Sequence, residues 1–154
     1  MLPLVLAGCY QPPTETQLIR SFTSHRAAFD KLLTMAQADR KFHRIPAEGI
    51  PPIGMPQSRF NEFLAVFREI GVKGGTDWGI VSHPEGLFVI ASSEVPIGGK
   101  ARFMGYAYLS APQSDVVKRL PITESPFEIR SNSGHQTVFK PLDDHWYLFY
   151  ASEW

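Results

Sequence analysis

Two rhythms divide the chain. In the first half apolar residues return every three or four positions, and in the second half they alternate singly or run together between turn-forming residues. Thr14 followed by Gln17 has the form of a capping box, in which a hydroxyl and an amide satisfy each other's backbone N–H groups at a helix start. From there Leu18, Phe22, Arg26, Phe29, Leu32, Leu33 and Ala36 fall largely along one side, leaving Arg20, Ser24, Asp30 and Lys31 for water. This spacing predicts one amphipathic helix from Thr14 to about Asp39.

The basic run Arg40-Lys41-Phe42-His43-Arg44 falls where that helix should end, suited to its dipole and to a solvated surface. Ile45 to Pro56 carries four prolines and two glycines, which predicts an extended or turned connection. Ser58 is placed to cap a second helix whose apolar face is Phe60, Phe63, Leu64, Phe67 and Ile70, with Gly71 as its stop.

Strand-like segments then follow. Thr76–Val81 and Leu87–Ser92 flank the turn His83-Pro84-Glu85-Gly86, and Ala101–Leu109 reads as the next strand, with Gly105 admitting a close neighbour or marking a bulge. Ser110 to Pro126 reads as a long loop or a short helical turn around Asp115–Arg119. Phe127–Arg130, His135–Lys140 and His145–Tyr150 complete the set. In the last, Trp146, Leu148 and Tyr150 share one parity and Tyr147 and Phe149 the other, so both faces need cover and the strand should be central. The expectation is an α+β domain over residues 14–154, two principal N-terminal helices packed on a predominantly antiparallel sheet of five or six strands.

Composition narrows the functions. At 154 residues and 44% hydrophobic, with 11 Phe, 5 Tyr and 3 Trp, the chain can bury one core without metal or disulfide. Fifteen basic residues balance fifteen acidic ones, so the positive field of a nucleic-acid binder is missing.

Leu6-Ala7-Gly8-Cys9 resembles the lipobox of bacterial lipoproteins, with Tyr10-Gln11-Pro12-Pro13 following as a short tether; residues 1–13 then form a truncated signal and tether. The resemblance implies a covalent lipid on Cys9, lipid-processing machinery and an envelope protein as partners, and a membrane held by acyl chains. Because Tyr10 is not the aspartate associated with inner-membrane retention, it further implies an outer-membrane, periplasm-facing position. A fortuitous match would leave the chain cytoplasmic.

Candidate chemistry is sparse. His83 and Glu85 sit near one turn and Asp144 and His145 near another, types that can bind zinc or exchange protons if the turns meet at one sheet end. Tyr106, Tyr108, Trp146 and Tyr150 could line an aromatic cleft for a small ligand or simply pack the sheet. No phosphate-binding glycine loop, zinc-helix motif or nucleophile elbow occurs. Three functions are therefore carried forward: a noncatalytic envelope adaptor or inhibitor that recognises protein, a small-ligand domain, and a metal-assisted or acid/base enzyme.

Overall fold

A computed structural model describes residues 12–72, 79–83, 86–94, 102–110, 118–119 and 137–152. Three helices, α1 (Glu15–Ser24), α2 (Arg26–Ala38) and α3 (Gln57–Glu69), join seven strands. These are β1 (Arg44–Pro46), β2 (Gly79–His83), β3 (Gly86–Glu94), β4 (Arg102–Leu109), β5 (Lys118–Arg119), β6 (Thr137–Pro141) and β7 (Trp146–Ser152). They form one sheet in the order β1-β2-β3-β4-β7-β6-β5, antiparallel throughout except the parallel β5–β6 pair. The chain is α+β, as its patterning predicts.

The capping box forms: Gln17 N–H donates to Thr14 Oγ1 at 3.2 Å, and Thr14 N–H donates to Gln17 Oε1 at 2.8 Å. The single long helix expected from Thr14 to Asp39 does not, because the chain breaks at His25. There the Ser21 carbonyl accepts the His25 backbone N–H at 3.0 Å and also lies 3.0 Å from its ring Nδ1. The Thr23 hydroxyl meanwhile bonds back to Ile19 O. Side-chain competition of this kind weakens a helical ladder.

The segment read as a plain connection contributes β1, an edge strand pairing with β2, and Arg40 to Arg44 follow the end of α2, where the basic run was expected to terminate the helix. At the start of α3, Pro56 occupies the cap and Ser58 lies inside the helix. Gly71 ends it as expected, at φ 79°, with Gly71 N–H on Arg68 O and Val72 N–H on Phe67 O. That is the Schellman pattern, closed by burial of Val72 and Phe67 in one cluster.

Strand alternation produces two cores. The helix-facing one takes Ile80, Leu87, Val89, Tyr106, Trp146 and Leu148 from the sheet, against Leu18, Phe22, Phe29, Leu32, Phe60, Phe63 and Phe67 from the helices. The opposite face buries Phe88, Ile90, Ala107, Leu109, Phe139, Tyr147, Phe149 and Ala151. Phe88 on β3 reaches Phe139 on β6 with ring centroids 6.2 Å apart. β7 is central, as its two aromatic faces require.

Among the described residues the antiparallel part of the sheet has six strands, within the five or six expected, and the two-residue β5 joins its edge in parallel. Residues 118–119, read as loop or helical turn, are strand, while Phe127–Arg130 and the start of the Thr76 strand lie outside the described residues.

Candidate functional site

Between β1 and α3 the chain makes a detour over the surface. Ala47 to Gly49 lie against the C-terminal half of α3, forming with Leu64, Arg68, Gly71 and Val72 a groove of about 500 Å³. Its apolar floor is Ala47, Leu64 and Val72. Glu48 and Arg68 stand on it as exposed opposite charges, neither in an ion pair among the described residues.

Beyond the groove the loop turns back toward the start of α3. Met55 N–H donates to Pro52 O at 2.9 Å and Gly54 sits at φ 86°, the geometry of a type II turn with Ile53 at its leading corner. Gly49, also left-handed at φ 92°, opens the loop, and buried Met55 closes it. Between those pins Ile50 is 83% exposed and Ile53 101% exposed, the two large apolar side chains that stand out from the described surface.

The loop foot is held electrostatically. Arg59 in the first turns of α3 donates to Asp39 Oδ2 at 2.7 Å, bonds Glu62, and lies over the Phe63 ring. This fixes the end of α2, and hence Arg40 and Lys41, beside the end of α3 to which the loop returns.

The polar candidates sit elsewhere. His83 pairs in register with Gly86, Gly86 with Leu109, and Leu109 N–H donates to His145 O, so the two turns do share one end of the sheet. Strands β3 and β4 still lie between His83 on β2 and His145 just before β7. His145 is exposed with Nδ1 on Leu109 O at 3.1 Å, and Asp144 is exposed with its N–H on Asp143 Oδ1. Glu85 and the His83 side chain lie outside the described residues. Among the described residues no three His, Cys, Asp or Glu side chains are grouped to hold a metal.

Of the aromatic candidates, Tyr106, Trp146 and Tyr150 are buried, and Tyr108 alone reaches the surface, its ring 5.5 Å from that of His145. The Tyr106 hydroxyl is spent on Leu18 O at 3.0 Å, and burial pushes its pKa well above the ordinary phenol value. Trp146 packs edge-on against Phe29 and Tyr108. These four serve the sheet's packing and do not jointly present an aromatic surface. Cys9 lies outside the described residues, and among those described no helix is long and apolar enough to cross a membrane.

Sequence reasoning missed Glu48, Ile50, Ile53 and Arg68. A signal was there: Ile50 and Ile53 stand among glycines and prolines with no helical or strand period to carry them into a core. No protein-family model, curated protein or solved structure matches this chain.

Proposed function

We propose that this chain is a noncatalytic adaptor or inhibitor of the bacterial envelope that acts by binding another protein in the groove beside α3. The supporting observation is the groove itself: an apolar floor of Ala47, Leu64 and Val72 bearing two exposed charges of opposite sign, Glu48 and Arg68. An extended segment of a partner protein matches that arrangement, with an apolar side chain on the floor and charged neighbours meeting Glu48 and Arg68. Electrostatic complementarity of this kind selects partner and register more than it adds raw affinity.

A photo-crosslinking residue at Ala65, an exposed position of α3 one turn before Arg68, introduced in the native organism, is expected to trap a partner protein. Charge reversal by Glu48→Arg or Arg68→Glu should lower the adduct yield about tenfold, about 1.4 kcal/mol. Both side chains are exposed, so the fold should be untouched. Adducts that ignore both reversals, or no adduct at all, would remove the groove from consideration.

The envelope assignment rests on Leu6-Ala7-Gly8-Cys9. Mass spectrometry of the protein from its native organism should find Cys9 diacylated at the new amino terminus, and Cys9→Ser should abolish the lipid while leaving a folded domain. Recovery of an intact Met1 with free Cys9 would place the chain elsewhere.

A further inference from the structure

We infer that the Ile50–Ile53 loop is a membrane-contact element that seats its tip in the interface of an anionic lipid surface, independently of the groove and of any lipid on Cys9. The loop is convex, and its two isoleucines stand fully outside the protein surface instead of lining a concavity. From Gly49 to Pro56 the sequence Gly-Ile-Pro-Pro-Ile-Gly-Met-Pro offers no side-chain hydrogen-bond donor or charge. Shape-specific protein contacts usually add aromatic or arginine anchors to their apolar area, whereas a hydrocarbon boundary requires apolar area alone.

The backbone is matched to the same environment. An unpaired N–H is costly in a medium without water. Pro51 and Pro52 have no N–H, and the Met55 N–H is already bonded to Pro52 O. The turn therefore carries few donors that burial would strip of water. Because Pro51, Pro52 and the Pro52–Met55 bond restrict its shape, less ordering entropy is lost on insertion.

Charge identifies the kind of lipid. From Arg40 to Pro56 the chain bears Arg40, Lys41 and Arg44 against Glu48 alone, although the whole chain has fifteen of each sign. Arg40, Lys41 and Arg44 are exposed. The Asp39–Arg59 ion pair holds Arg40 and Lys41 at the end of α3 where the loop returns, with Arg59 shared between Asp39 and Glu62. An apolar tip with cations at its base is the arrangement that an interface of negatively charged headgroups attracts.

The test uses the full chain carrying Cys9→Ser, so that no acyl chain can hold it to a bilayer. It is floated with vesicles of phosphatidylglycerol and phosphatidylcholine, and with vesicles of phosphatidylcholine alone. Flotation with the anionic vesicles, weakened by added salt, is expected. Ile50→Ser with Ile53→Ser should weaken it at least about tenfold, and Arg40→Ser or Lys41→Ser about fivefold each. A polarity-sensitive dye on Ile53→Cys should shift to the blue when anionic vesicles are added, a readout that does not depend on the serine variants folding. No flotation on anionic vesicles at low salt, flotation unchanged by the paired isoleucine substitutions, or a dye that stays in water would each overturn the inference. A protein crosslink from position 53 without vesicle binding would do so in favour of a protein contact. Since the groove is tested at Ala65, Glu48 and Arg68, failure of one reading leaves the other standing.

Discussion

Tyr106 shows how one residue can serve fold and not chemistry. Its ring lies 4.6 Å from that of Phe29, its hydroxyl donates to a helix carbonyl, and its burial disfavours the phenolate. The folded chain thus holds this proton to higher pH than the unfolded chain, where the pKa is about 10. Below about pH 10 both states are protonated and the contribution is whole; above it the unfolded chain loses the proton first, so stability falls as pH rises. Tyr106→Phe should cost about 1 kcal/mol at neutral pH, and thermal melts of the variant should decline less steeply above about pH 10 than those of the parent. Gly105 illustrates the opposite economy, a side chain that must be absent. A Cβ there would stand 1.9 Å from Val89 O, and opposite it the β3–β4 register slips between Ile90 and Ser92. The sequence offered a close approach or a bulge at this glycine, and the structure has both.

Among elements, the first turn of α1 is tied to the sheet by Lys140 of β6, whose ammonium pairs with Glu15. The side chains are 9% and 16% exposed, and Glu15 Oε2 has no partner among the described residues. Removing one member leaves the other charge with little water. Lys140→Met should therefore destabilise by about 3 kcal/mol, and Glu15→Leu added to it should recover most of that loss in urea unfolding. Nothing in the sequence announced this pair, because 125 positions separate its members. Several local features were legible: the Thr14–Gln17 box, the Gly71 stop and the parity of β7 all depend on neighbours within a few residues. The break at His25 escaped because Phe22, Arg26 and Phe29 keep their spacing across it, so apolar periodicity does not register it. The capping role given to Ser58 failed for a related reason, since Pro56 already supplies a rigid start two positions earlier.

At the scale of the whole molecule, the α+β class was legible because each rhythm of apolar residues belongs to one kind of element, whereas the candidate site was not. Glu48 and Arg68 become neighbours on a groove only once the loop is laid along α3, and the exposure of Ile50 and Ile53 is a property of the assembled surface. Sequence attention went instead to histidines and tyrosines, whose chemistry is conspicuous but whose places are turns and core. The strand order carries a further consequence. β4 takes β7 as its partner, Tyr108 against Trp146 and Arg102 against Ser152, although β5 and β6 come between them in the chain. On a ribosome, α1, α2 and α3 emerge long before the strand that supplies Trp146 and Leu148 to their shared core. Until β7 is made, the phenylalanine-rich helices lack the Trp146 and Leu148 that complete their shared core. Closing that core is therefore a non-local step that joins the first elements of the sequence to β7, a topology expected to fold slowly.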